Sequence, residues 1–350
     1  MSDKALMKKI FEYSIITSNL SKTILYSLEY KFLYFLSKSF SRYVTPPAEE
    51  TDKKLLNHLG DGVIALHYLD AENISKGVYP FEVIIPKSPL EHIKNIPYLM
   101  IDSLKISRRR KLNIKKDFDI EPEDTPDYLN RNYHFQTDGY FSDQSARIYE
   151  HQVEVLFSGT AGPMRRMLIK YIKEKLNSGK TLRILELGAG VGSATLDFVK
   201  SFEISQYTVT DVSKPYLDLA KKRLLKNNKA TSFEFVQASA ESLPFQEGEF
   251  DLVFSVYLFH ELPRNIREKA LSESYRVLAP GGIIGICDSL QLNDDKILNN
   301  VLEKFPKDYH EPFYLGYINW DLNQALSDAG FSEVESKFNL LSKYWTAVKT

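Results

Sequence analysis

The stretch Leu182-Arg183-Ile184-Leu185-Glu186-Leu187-Gly188-Ala189-Gly190-Val191-Gly192 constrains this chain more than any other. An apolar run ends near an acid, three glycines follow within five positions, and a helix-like pattern begins near Ser193. That is a strand, a tight turn and a helix N-terminus. Glycine admits φ > 0 and lets a ligand approach the backbone. The first N–H groups of a helix have no partner inside the helix. Such a turn belongs at the carboxyl edge of a parallel sheet, where open α/β folds hold small ligands.

The glycine spacing alone leaves a purely structural turn open. It reads G-x-G-x-G, not the G-x-G-x-x-G of dinucleotide binding. The next strand adds to it: Ser205 to Asp211 ends on an acid suited to a ribose diol, about twenty residues beyond the glycines. Further on, Phe250-Asp251-Leu252-Val253-Phe254-Ser255 reads as a buried strand, and Leu278-Ala279-Pro280-Gly281-Gly282 precedes another. These four features, in this order, resemble the class I S-adenosylmethionine (SAM) methyltransferase family, over about Gln144 to Thr350.

The resemblance implies a Rossmann-like α/β fold with a seven-stranded sheet. Phe331 to Asn339 and Lys343 to Lys349, joined by a short polar turn, read as its closing antiparallel hairpin. It also implies site roles. Glu186, Gly188, Ala189, Gly190 and Gly192 line the methionine part of SAM, with Leu187 in the same set. Asp211 accepts from the ribose hydroxyls and Val212 packs on the adenine. Ser239, between Ala238 and Ala240, stands where quinone-biosynthesis-type members usually carry an acid near the adenine amine. Ser255 or Val256 meets SAM through the backbone, and Tyr140 and Arg147 stand near its methionine end.

Methyl transfer from a sulfonium needs alignment and exclusion of water more than a fixed catalytic triad. His260 and Glu261, after the fourth strand, read as base or substrate orienter, or as braces of their loop. Tyr257, His260, Asp288, Tyr314 and Tyr317 are the candidate acceptor contacts. Tyr309 to Tyr317 holds five rings or imidazoles in a long insertion and suits a lid over an apolar acceptor, or packing. The seven histidines show no close pairing at ligand spacing on one element, so no metal is expected.

Residues 1–142 read as a mostly helical extension that selects the acceptor or mediates self-association, and 143–350 as the catalytic domain. In the first 45 residues, Leu20, Ile24, Leu28, Phe32, Phe35 and Leu36 share a helix face expected to pack on the protein or on a second copy, with an interfacial membrane helix as the alternative, against which its serine-rich and weakly basic polar face counts. Tyr26, Tyr30 and Tyr34 add an aromatic stripe. Pro46-Pro47 is expected to end this helix. A short helix over Thr51 to Leu59, a turn at Gly60-Asp61-Gly62, and breaks at prolines 80, 86, 89 and 97 follow. Lys105 to Lys116 carries seven basic residues and Asp117 to Asp127 six acids, which together read as a solvated segment. Pro126 to Ser142 mixes five aromatic rings with amides, acids and His134, a composition suited to lining a ligand or a domain seam.

The formal net charge of −1 gives no global pull toward nucleic acid or membrane. A single cysteine, Cys287, excludes an internal disulfide, and no run of about 20 apolar residues is present. The chain is expected to be cytoplasmic, without stable membrane insertion and without nucleic acid as partner, and a homodimer through the N-terminal helices stays open. The expected function is methyl transfer to oxygen, nitrogen or carbon of a small molecule. The alternatives are a protein or carrier-bound acceptor, a non-catalytic SAM-binding module, and, on weaker grounds, a nicotinamide oxidoreductase.

Overall fold

The apolar runs beyond residue 181 become strands whose order places the glycine loop at a switch point of the sheet. A computed structural model of the chain describes residues 3–40, 53–85, 89–119, 125–176, 179–227 and 231–350. Its elements are α1 (Asp3–Phe40), α2 (Lys53–Ser75), α3 (Pro89–Leu112), α4 (Asp143–Leu156), α5 (Ala161–Lys175), β1 (Leu182–Leu187), α6 (Thr195–Ser201), β2 (Ile204–Asp211), α7 (Lys214–Asn227), β3 (Phe233–Gln237) and β4 (Phe250–Val256). There follow α8 (Arg264–Val277), β5 (Leu278–Ser289), α9 (Asn299–Tyr309), α10 (Tyr314–Ile318), α11 (Leu322–Asp328), β6 (Phe331–Asn339) and β7 (Ser342–Lys349).

The strands form one sheet in the order β3-β2-β1-β4-β5-β7-β6. Pairing is parallel from β3 through β5 and antiparallel on both sides of β7. The chain leaves β1 toward β2 on one side, and β4 lies on the other, with Leu187 opposite Ser255. A crevice at their carboxyl ends follows from that reversal. Phe250 to Ser255 of β4 are buried, as a parallel strand covered on both faces requires. Cys287 is buried in β5.

Several N-terminal expectations are corrected. The helix over Thr51 to Leu59 does not stop at Gly60-Asp61-Gly62 but runs on to Ser75. A Cβ on Gly62 would stand 3.0 Å from Leu340 Cδ1, so this glycine lets the helix approach the β6–β7 turn. That packing outweighs a propensity cost of about 1 kcal/mol per glycine. Pro97 lies inside α3 and does not end it. The helix is held from its inner side by buried Leu99 and by Asp102, which accepts from Thr137 Oγ1 (2.5 Å) and Gln152 Nε2 (2.6 Å).

The basic run is not wholly solvated either. Arg109 is buried, donating to Asp117 Oδ2 (2.8 Å) and to the Phe135 carbonyl (3.0 Å), which ties α3 to the aromatic segment. The apolar pattern from Ile318 to Ala329 does not form one helix, since Ile318 closes α10 and Asp321 caps α11 by accepting from Gln324 N. Pro46-Pro47, Pro86 and Pro122 lie outside the described residues.

Of the apolar face expected on α1, Leu20 packs against the core, whereas Ile24, Leu28 and Phe35 are not covered by the rest of the chain, at 61%, 58% and 63% exposed. The side chain of Leu36 lies outside the described ones. Polar partners set the rotation of this helix. Asn19 Nδ2 donates to Asp70 Oδ2 (3.0 Å), Thr23 pairs with His67 (2.9 Å), and Glu29 with His151 (2.7 Å). Unmaking such buried polar contacts costs more than leaving scattered apolar side chains in water.

The N-terminal helices share a core with the sheet. Ile15, Leu66 and Ile74 lie in one buried cluster with Met167, Ile172 and Leu252. Asp70 of α2 closes the joint by accepting from Arg166 of α5 (2.7 and 3.1 Å) and from Tyr79 (2.8 Å). Among the described residues no helix is long and apolar enough to cross a membrane.

Candidate functional site

The glycine loop turns at the end of β1 with φ of +60° at Gly188, +57° at Gly190 and +75° at Gly192. A Cβ on Gly188 would strike Leu258 Cδ1 at 2.9 Å, whereas one on Gly190 would meet nothing within 4 Å. The loop is therefore packed against the turn after β4 at one glycine and opens into a cavity at the next.

Two acids flank it. Asp211, at the end of β2, accepts from Gly190 N and Ser213 N, both at 2.8 Å, and each oxygen keeps a lone pair for a ligand. Burial pushes its pKa up to about 6 against those amide bonds. Glu186 accepts from Thr195 Oγ1 (2.6 Å) and Tyr207 OH (2.8 Å), and burial pushes its pKa up to about 7.

Most of the expected donor-site residues line this one cavity. Glu186, Gly188, Ala189 and Gly190 come from the first strand and its loop, and Asp211 and Val212 from the second. Ala238, Ser239 and Ala240 follow the third, and Val256 ends the fourth. Tyr140 closes the cavity from the aromatic segment. Four of the expected residues do not line it. Leu187 faces the core, since alternation along β1 turns it away from the crevice. Ser255 is buried within β4, and Gly192 is packed against Ala220 and Leu224 of α7. Arg147 sits on the exposed side of α4 over the Tyr98 ring.

Sequence reading missed Tyr128, Tyr149 and Arg165, which also line the cavity. Arg165 Nη2 donates to Glu154 Oε1 (3.0 Å), while its buried Nε has no hydrogen-bond partner. The signal was present, as Arg165-Arg166 interrupts the apolar pattern between Met164 and Met167.

A second cavity of about 300 Å³ adjoins the first. Tyr149, Val153, Tyr257 and Glu261 line both. Further walls come from Tyr30, Leu33 and Tyr34 of α1; Leu99, Ile106 and Arg110 of α3; Val155 and Leu156 of α4; and Leu302, Phe305 and Tyr314 of the insertion after β5. Two of the three tyrosines of the α1 stripe thus face a cavity. Tyr257 stands at the junction with φ +57°, and its hydroxyl is held by Ser342 Oγ at 2.6 Å.

His260 also lines this cavity. Its Nδ1 pairs with Asp288 Oδ1 at 2.6 Å, and Asp288 accepts as well from the amides of Phe259 (2.8 Å) and Ser289 (2.7 Å). Burial alone would lower the His260 pKa; the Asp288 carboxylate overcomes it and holds the value up at about 9. At neutral pH the ring carries both protons and Nε2 is a donor. Asp288 stands behind His260 and is fully buried, so its expected place as an acceptor contact is corrected to support of the imidazole. Tyr317 is likewise corrected, because its hydroxyl donates to the Ser289 carbonyl (2.7 Å) and its ring belongs to the core.

His134 joins the aromatic segment to this site. Its Nδ1 lies 2.8 Å from Glu311 Oε1 and its Nε2 3.5 Å from Glu261 Oε1, which also accepts from Tyr140 OH at 2.5 Å. Burial would lower its pKa; Glu311 and then Glu261 outweigh that and hold it up at about 10. Ligand atoms of His134, Glu261 and Glu311 lie within 4.8 Å of one another. An imidazolium has no free lone pair, so a cation there would have to displace a proton.

Residues 184–282 match a family model described as a methyltransferase domain. The ubiquinone/menaquinone biosynthesis C-methyltransferase UbiE of Brucella anthropi is 30% identical over 135 residues, which is 38% of this chain and 50% of that protein. UbiE of Bartonella bacilliformis is 30% identical over 146 residues, 41% of this chain and 54% of that protein. The chain thus spans about half the length of the curated relatives it matches. A SAM-dependent methyltransferase from Aquifex aeolicus is similar in structure at a TM-score of 0.43 and 19% identity, covering 60% of this chain and all of that one. The matched domain, the sheet order and the glycine loop together support a class I SAM-dependent methyltransferase domain in this chain.

Proposed function

We propose that this chain transfers a methyl group from SAM to an apolar, ring-bearing small molecule that carries an oxygen next to the methylated atom. The junction of the two cavities at Tyr149, Val153, Tyr257 and Glu261 supports this reading above all. A direct displacement needs donor and acceptor to meet in line at one opening, and here a polar loop site opens into an apolar chamber.

Two features fit SAM in the first cavity. The clear space at Gly190 admits a ligand against the backbone, and the orphaned Arg165 Nε suits a carboxylate. When bound, SAM supplies an electrophilic methyl on a sulfonium. The residues of this chain do the rest. Asp211 accepts from vicinal hydroxyls, and Glu186, with its pKa near 7, takes its charged form beside a cationic amine. Val212, Ala238 and Ala240 give a flat apolar bed.

In the second cavity His260 donates from Nε2 to the acceptor oxygen. Its positive charge favours the acceptor bound as its oxyanion, whose negative charge activates the neighbouring ring atom. Asp288 fixes the ring orientation, and the aromatic walls exclude water.

The test has two steps. Calorimetry with SAM and its demethylated product is expected to give micromolar or tighter binding. Methyl-labelled SAM is then offered with simple phenols and quinols bearing alkyl tails of increasing length, and label is expected in the organic extract, rising with tail length. Binding without transfer to any of them, or label found on protein, would sink the small-molecule reading.

A further inference from the structure

The exposed apolar side chains of this protein are gathered on one layer. Among the described residues, every exposed large apolar side chain except Leu225, Ile297, Leu315 and Phe338 precedes residue 113. On α1 they include Leu6, Met7 and Ile10 near the start, and Leu25, Leu28 and Phe32 further on. The charges exposed between Leu6 and Phe35 are Lys8, Lys9 and Lys31; Lys8 and Lys9 line a recess against α2 with Glu12 and Glu72, which leaves Lys31 beside the apolar side chains. The two acids of that span turn inward, Glu12 to Ser75 (2.5 Å) and Glu29 to His151 (2.7 Å). The same composition recurs on α3, where Tyr98 and Ile101 are exposed with Lys94, Lys105 and Arg108. The one acid between Ile93 and Leu112, Asp102, is buried.

We infer that α1 and α3 form a peripheral docking surface for an anionic lipid bilayer. A helix that presents apolar side chains and lysines together, without acids, lies in the headgroup region of such a membrane. Neither helix spans it. Charge decides against a second copy of this chain as the occupant. A two-fold interface sets each patch against itself, and a face whose only charges are positive finds no counterion there. The cavity adds a further observation. Tyr30 of α1 is 47% exposed and also lines the 300 Å³ chamber, which is walled by α1 and α3. The same two helices thus wall the chamber on one side and carry exposed apolar side chains on another.

Flotation of the full chain with vesicles tests this without any methyl acceptor, so its failure leaves the methyltransferase reading intact, and the reverse. Wild type is expected to float with vesicles of phosphatidylcholine and phosphatidylglycerol in equal parts and to float far less with phosphatidylcholine alone. Leu28→Glu with Phe32→Glu is expected to cut partitioning by about tenfold or more. Each of Lys31→Gln, Lys94→Gln and Lys105→Gln should cut it about fivefold. All these positions are exposed, and unchanged SAM binding by calorimetry shows that the variants fold. Wild type that stays off the mixed vesicles overturns the inference, as do variants that float like wild type. A concentration-dependent dimer that the glutamates dissolve, with no flotation, assigns the face to a second copy and overturns it too.

Discussion

Arg165→Met isolates a single interaction in the donor cavity. Methionine keeps much of the apolar stem and removes the charge. Of the guanidinium nitrogens, Nη2 is engaged by Glu154 and Nε is the buried one without a partner, so one charge-assisted hydrogen bond to a ligand carboxylate is at stake. Such a bond contributes about 1.5–3 kcal/mol, or roughly 10- to 150-fold in the SAM Kd. Removing Arg165 also leaves Glu154 buried without its cation, which lowers overall stability for reasons unrelated to the ligand. A second ligand separates the two effects. Wild type and variant are titrated calorimetrically with SAM and with decarboxylated SAM. The variant should lose the full factor on SAM and almost nothing on the decarboxylated analogue. An equal loss on both would refute the assignment and reduce Arg165 to a structural cation of α5.

Three further outcomes are expected. Gly190→Ala places a methyl group in the open space of the loop at φ +57°, so the protein stays folded with strain of about 1–2 kcal/mol while SAM affinity drops by roughly tenfold or more; calorimetry beside a thermal melt reads both. Methyl transfer should fall as pH rises through about 9, where His260 loses the proton on its donor nitrogen, and His260→Gln should flatten that limb; a rate that climbs through pH 9 would make the imidazole a base. Asp70→Ala leaves Arg166 buried without its main partner and should cost about 3–5 kcal/mol in denaturant unfolding, toward the lower end because Asp197 stands 3.8 Å away.

The sheet was legible because each parallel strand is a short apolar run bounded by turn residues, and because the three glycines and Asp211 have fixed places in such a sheet. The helical layer was legible only as helices. Periodicity finds an apolar face but not the partner it meets, and on α1 the contacts of Asn19, Thr23 and Glu29 set the rotation. Those contacts join residues 51, 44 and 122 positions apart, which no local window contains. Gly62 and Pro97 misled for a related reason, since tertiary packing overrode local propensity at both. In the site, His260 could be picked out from its place after the fourth strand. Its dependence on Asp288 and the ion pairs of His134 with Glu261 and Glu311 needed the third dimension. Tyr30, Tyr34 and Ile106 line the second cavity from helices that local pattern could not connect to the sheet.

The joint at Asp70 and Arg166 also bears on how this molecule could be re-engineered. The donor cavity is furnished by residues from Tyr128 to Leu262, while α1 and α3 supply one wall of the chamber beside it. On the proposed function, acceptor preference is divisible from donor binding, and a different helical cap could be grafted onto the same sheet. The graft would have to bring an acid to meet Arg166 and an apolar underside to cover Met167 and Ile172. A bare truncation before α4 would uncover that surface, and the remnant would be insoluble rather than merely unselective.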